Sequence, residues 1–105
     1  MTDQVITQWT ADTILDFLYQ HREVLRAMGV IKIGLFGSYV RGDQQADSDI
    51  DVLLEMNSPS YRDFMNVWNF LEDNLGRKVD IGEEHLLKEI ARPYILGEVR
   101  YVEGF

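Results

Sequence analysis

Cysteine is missing from this chain altogether. That excludes a disulfide framework and any thiolate metal site. Histidine occurs only twice, at His21 and His85, and neither has a second histidine at ligand spacing. His21 falls on an apolar helical stripe and is expected as a packed or edge residue. Long apolar runs are also lacking, since none approaches the roughly 20 residues of a membrane-spanning helix. The opening Met1-Thr2-Asp3-Gln4 has neither the basic start nor the apolar core of a signal peptide, so a cytoplasmic location is expected. No internal repeat, low-complexity segment or long linker divides the chain, and a single domain over residues 1–105 is expected.

Basic residues are scarce. Lys and Arg total 10 against 18 Asp and Glu, for a net charge of −8. Binding to nucleic acid draws most of its affinity from neutralising phosphates, so direct nucleic-acid binding is not expected. Such a charge serves solubility, and it suits a basic protein partner.

What is present is enough apolar material for a core, 46% of the residues, arranged in readable periods. Thr10 or Asp12 is placed to cap a helix over residues 11–28, with Ile14, Phe17, Leu18, His21, Leu25 and Met28 on one face and Gly29 at its end. Residues 30–36 read as a first strand with Ile31, Ile33 and Leu35 on one side. Gly37-Ser38 turns the chain, residues 38–41 begin a helical turn, and Gly42 breaks it before a polar loop. Residues 48–55 read as a second strand. Ser58-Pro59 is expected to start a helix carrying Tyr61, Phe64, Met65, Trp68, Leu71 and Leu75 toward the core and stopping at Gly76. Residues 77–81 read as a third strand, Gly82 and Glu83 as the start of a short helix to about residue 90, with Glu83, Glu84 and His85 on its surface. Pro93 opens a helical turn closed by Gly97, and residues 99–102 suit an edge strand.

The chemistry gathers in one stretch. Side chains alternate along a strand, so Ile50, Val52 and Leu54 face a core while Asp49 and Asp51 stand together on the other side. Two carboxylates so placed repel unless a cation lies between them. Magnesium prefers oxygen ligands and is usually held by one or two carboxylates plus substrate phosphates. Asp80, on a neighbouring strand, can complete a three-carboxylate cluster. Two metals in such a site, about 3.5–4 Å apart, stabilise both the attacking and leaving oxygens of an in-line displacement. Gly37 lets the backbone approach a phosphate, and the Ser38 hydroxyl with free N–H groups can bind its oxygens. These parts describe phosphoryl or nucleotidyl transfer. Arg41 can meet phosphate or brace the loop through Asp43 or Asp47. Lys78 can reach the triphosphate or remain solvated.

The pattern Gly37-Ser38-x-x-Arg41-Gly42 followed by Ser48-Asp49-Ile50-Asp51 resembles the signature of the polymerase-β-type nucleotidyltransferase superfamily. The wording of residues 31–55 is most similar to its minimal nucleotidyltransferase (MNT) family, with Val40 where a small alanine is frequent. The resemblance extends more loosely to Lys78-Val79-Asp80-Ile81 and Arg92-Pro93-Tyr94-Ile95. It implies an α/β (α+β) fold, a small mixed sheet of three to four strands with helices packed against it. It implies that Gly37 and Ser38 hold the triphosphate of ATP, with Arg41 as a further nucleotide-binding candidate if it is not bracing the loop. Asp49, Asp51 and Asp80 would bind two Mg²⁺ ions, with Asp80 completing the site of the ion that activates the attacking hydroxyl. Members of this family are often antitoxins paired with a HEPN ribonuclease, placing AMP on a tyrosine of that toxin. The competing expectations are an antitoxin that acts by binding alone, and an enzyme that modifies a small molecule. So short a chain leaves little room for a further substrate domain, so the acceptor site is expected from a partner or a second subunit. Trp9, Tyr94 and residues 99–105 are candidate interface groups.

Overall fold

A computed structural model describes residues 8–57 and 60–105. Thr10 caps the first helix α1 (Ala11–Gln20). Its side chain accepts from the Thr13 N–H, and Thr13 returns the bond to the Thr10 N–H. The single helix expected over residues 11–28 is interrupted, because His21 bends the chain before α2 (Arg22–Ala27). The His21 Nδ1–H donates to the Phe17 carbonyl at 2.8 Å, sharing it with the His21 backbone N–H. Side-chain bonds of this kind bend helices. The ring lies 4.2 Å from that of Phe17 and 5.8 Å from that of Phe70, so His21 is the packed residue expected.

Four strands form one mixed sheet in the order β3-β2-β1-β4. Strand β1 (Val30–Phe36) pairs antiparallel with β2 (Ile50–Met56) and with β4 (Arg100–Tyr101). Strand β3 (Val79–Glu83) pairs with β2 in parallel. One expectation for β1 fails. The register shifts between Val30 and Lys32, leaving Ile31 as a bulge residue 43% exposed and putting Val30 in the core. A bulge adds one residue to one strand only, so strict alternation is lost across it.

Between β1 and β2 lies α3 (Ser38–Arg41), and between β2 and β3 lies α4 (Tyr61–Leu75). The start expected at Ser58-Pro59 lies outside the described residues. The cap observed is Ser60, whose hydroxyl accepts from the Asp63 N–H. Val67, Leu71 and Leu75 are the buried face of α4, whereas Tyr61, expected on it, is 80% exposed. Ile14, Leu18 and Leu25 from α1 and α2 join this face over Val30, Ile33, Leu35, Ile50, Val52 and Leu54 of the sheet. Each such side chain, fully buried, contributes about 1.5–3 kcal/mol.

After β3 the expected helix to residue 90 is absent. The strand runs on to Glu83, a single 3₁₀ turn spans Glu84–Leu86, and α5 (Arg92–Glu98) follows with Pro93 in its first turn. Glu84 is drawn across the sheet, accepting from the Tyr101 hydroxyl at 2.8 Å and from Lys32 at 3.4 Å. That competition disfavours the surface helix expected there. Trp9, expected at an interface, packs on the core and donates its indole N–H to the Leu75 carbonyl. Val102 and Phe105 also pack on the core, whereas Tyr94 is 78% exposed. No helix among the described residues is long and apolar enough to cross a membrane.

Candidate active site

Asp51 stands where three strands meet. It is the partner of Phe36 in the β1–β2 ladder and of Asp80 in the parallel β2–β3 ladder. Registered residues on neighbouring strands share a face, so Asp51 and Asp80 stand side by side. Asp49 lies just ahead of β2, two positions before Asp51, and projects from the same face. Ile50 and Val52, between and beyond them, are fully buried on the helix-covered face. The sheet thus brings together the three acids named from the sequence.

Their mutual repulsion shows at Asp51. Its carboxyl is pushed up to about 6, first by burial, then by the charges of Asp80 and Asp49, with Arg41 opposing. Among the described residues, no three His, Asp or Glu side chains are drawn close enough to enclose a cation by themselves. An ion held here would need further ligands, which substrate phosphates commonly supply to magnesium. Neighbouring carboxylates, one of them half-buried, are a donor set of the kind that would suit a hard cation.

Gly37 follows Phe36 and is buried against Asp51. A β-carbon at this position would overlap the Asp51 Oδ2. Its backbone, φ 81° and ψ −153°, lies in a region essentially restricted to glycine. Ser38 opens α3, and Gly42 closes it in the left-handed conformation. The Val40 and Arg41 N–H groups both donate to the Gly37 carbonyl at 3.1 Å. Among the described residues, the Ser38 and Tyr39 N–H groups have no protein acceptor, and the Ser38 hydroxyl has no protein partner. The turn therefore presents three polar groups beside the acids.

Arg41 Nε donates to Asp43 at 3.3 Å, the local brace anticipated as one of its two roles. Its Nη1 donates to both carboxylate oxygens of Glu98 at 3.2 Å. Glu98 also accepts from the Gly37 N–H at 2.7 Å, and sequence reasoning missed it entirely. Its one visible signal is weak: a lone acid at the end of an otherwise uncharged stretch between Pro93 and Val99. Arg77 bonds the Ala46 carbonyl and, at 3.2 Å, the Ser48 carbonyl, fastening the loop that delivers Asp49. Lys78 is exposed and lies just ahead of β3, its carbonyl accepting from the Ile50 N–H at 2.9 Å. The strand begins at Val79, two residues later than expected, and α4 grips that residue, its carbonyl accepting from the Trp68 indole and its N–H donating to Glu72.

The family described as nucleotidyltransferase domain matches residues 18–102. The protein adenylyltransferase MntA of Thermococcus cleftensis is 40% identical over 95 residues, covering 89% of this chain and 96% of that protein. The chain belongs to the minimal nucleotidyltransferase family. A solved structure assigned to the minimal nucleotidyltransferases superimposes with a TM-score of 0.76 at 26% identity, over 90% of this chain and 98% of the other. A chain from a complex of tri-AMPylated Shewanella oneidensis HEPN toxin with MNT antitoxin matches with a TM-score of 0.60 at 17% identity, over 87% of this chain and 73% of that one. At that identity the likeness speaks to the fold. The minimal nucleotidyltransferase described here therefore has the mixed sheet, the packed helices and the enzyme class expected from its Gly-Ser and Asp-x-Asp wording.

Proposed function

We propose that this minimal nucleotidyltransferase transfers AMP from ATP to a tyrosine hydroxyl of a HEPN ribonuclease toxin and thereby acts as its antitoxin. The observation that carries the reading is the placement of Asp51 in register with Asp80 and pressed against Gly37. The adenylyltransferase relative that it covers almost end to end supports the same activity. The AMPylated toxin in the Shewanella complex supports the class of acceptor.

In this reading Ser38, through its N–H and hydroxyl, and Arg41 hold the triphosphate. Asp49, Asp51 and Asp80 hold two Mg²⁺ ions. When bound, the ions neutralise the phosphates and lower the pKa of the acceptor hydroxyl. The tyrosine oxygen forms a bond to the α-phosphorus of ATP, and the bond from that phosphorus to the bridging oxygen breaks. The electron pair leaves with pyrophosphate. Asp80 is the exposed member of the three, and in this reading it takes the phenolic proton. The reading places the protein in the cytoplasm, with ATP and its toxin.

The test is transfer of label from ATP to the HEPN partner in the presence of magnesium. Label is expected on the partner with the wild-type chain and absent with Asp49→Ala or Asp51→Ala. Full neutralisation of the toxin by the double variant, with no transfer, would make the protein a binding antitoxin instead.

A further inference from the structure

Glu98 holds both ends of the Gly-Ser turn from a distant part of the chain. Its carboxylate accepts from the N–H of Gly37, which immediately precedes α3, and from the guanidinium of Arg41, the last residue of α3. Glu98 is itself fixed. It ends α5, and the residues that follow are tied to β1, with Gly34 paired to Tyr101, Leu35 to Arg100, and the Val102 N–H donating to the Ile33 carbonyl at 2.9 Å. The carboxylate therefore hangs from the same strand that leads into Gly37. Its side chain is 25% exposed, whereas that of Arg41 is 52% exposed.

Gly37 needs such a tether. A backbone conformation so rarely populated persists only where its surroundings over-determine it. On one side the Asp51 carboxylate leaves no room for movement, and on the other the Glu98 carboxylate takes the N–H. With that N–H satisfied by protein, the Ser38 N–H, the Ser38 hydroxyl and the Tyr39 N–H, which have no partner among the described residues, remain for a ligand.

We propose that Glu98 is a positioning residue for nucleotide binding, locking Gly37 and Arg41 so that the Ser38 groups face the phosphates beside Asp51. This inference rests on the nucleotidyltransferase reading above. Glu98 acts through the turn and does not itself touch the nucleotide. Its carboxylate is paired with Arg41 and the Gly37 N–H, though its charge still adds to the repulsion felt at Asp51.

The experiment measures the dissociation constant of a non-hydrolysable ATP analogue with magnesium by calorimetry, for the wild type, Glu98→Ala and Glu98→Gln. Loss of a charge-assisted bond to a buried N–H is expected to weaken binding by about tenfold or more in Glu98→Ala. Glu98→Gln keeps an acceptor for Gly37 and is expected to recover most of that loss. Amide exchange at Gly37 is expected to be slow in the wild type and the glutamine variant and fast in the alanine variant. Should alanine prevent folding, Glu98→Asp, which keeps the charge but is one methylene too short, is expected to bind as weakly as alanine would. Unchanged or tighter analogue binding in Glu98→Ala or Glu98→Asp would overturn the proposal, tighter binding marking Glu98 as a competitor for the phosphate seat. Failure of the wild type to bind the analogue would overturn the nucleotidyltransferase reading itself, and this inference with it.

Discussion

Gly37 and the carboxylate of Asp51 occupy adjoining space with nothing to spare, so that a single methyl group on Gly37 would collide with Oδ2. The Gly-Ser turn and the central acid are thus one packed unit, and neither can be repositioned alone.

Substitution of Gly37 by alanine reads out that packing. The variant carries both an unfavourable positive φ and a displaced Asp51. Displacement of a catalytic group by about 1 Å can cost on the order of a hundredfold in rate, and a loss of that size in AMP transfer is expected. The strained backbone adds about 1–2 kcal/mol of destabilisation, visible as a lowered unfolding midpoint. Alanine at Gly42, where a β-carbon meets nothing within 4 Å, is expected to cost stability alone. Equal transfer rates for the two variants would contradict the packing argument.

The titration of Asp51 gives a second outcome. Its carboxyl lies at about 6 in the folded chain against an ordinary 3.8, because of burial and of Asp80 and Asp49 beside it. The native state therefore binds this proton more tightly than the unfolded state. The group's contribution to stability is full below about pH 4 and is lost as the pH rises through about 6. Replacing Asp80 by asparagine removes one of the repelling charges. The metal-free variant is expected to be more stable than the wild type near neutral pH, by about 1 kcal/mol after allowance for solvent screening, and no more stable below about pH 4. Urea unfolding in chelator across that range measures it. The same variant should lose AMP transfer, so stability and activity move in opposite directions.

Two contacts from α4 position β3, and with it Asp80. Trp68 donates to the Val79 carbonyl at 2.9 Å, and Glu72 accepts from the Val79 N–H at 2.9 Å. Trp68→Phe keeps most of the ring packing and leaves that carbonyl without the indole. A cost of about 1 kcal/mol is expected, or a fall of about 4–8 °C in the unfolding midpoint. Transfer measured well below that midpoint should fall far less than in Asp80→Ala. An unchanged midpoint would show that the bond contributes nothing net.

Arg77 gives a fourth. It bonds the carbonyls of Ala46 and Ser48, just ahead of Asp49. Arg77→Met retains the apolar stem and frees the loop. Magnesium affinity in the presence of nucleotide is expected to weaken by about threefold to tenfold, the equivalent of one modest hydrogen bond, with little change in the unfolding midpoint. Loss of stability without loss of metal affinity would assign Arg77 to the fold instead.

Much of this was legible in the chain before its coordinates. The Gly-Ser turn, the Asp-x-Asp strand and Asp80 announce themselves because each sits inside an apolar run whose period fixes its face. What stayed hidden depends on partners far away in sequence. The bulge at Ile31 arises from the register of β1 against Glu55 and Met56, which the alternation of β1 alone does not contain. The bend at His21 falls within an unbroken apolar stripe, and only the side-chain bond to Phe17 marks it. Val67 shares the buried face of α4 with Leu71 and Leu75, while Tyr61, the first residue of the helix, is exposed. Glu98 is unreadable for the same reason, since its partner Gly37 lies 61 residues away and its role is set by how α5 returns over β1.

The most direct test of the account is diffraction at the manganese edge from crystals grown with Mn²⁺ and a non-hydrolysable ATP analogue. The expected result is anomalous density between the carboxylates of Asp49 and Asp51, with Asp80 completing one ion's shell and the analogue's phosphates on the Ser38 N–H and hydroxyl. Manganese bound elsewhere, or phosphates lying away from the Gly-Ser turn, would contradict it.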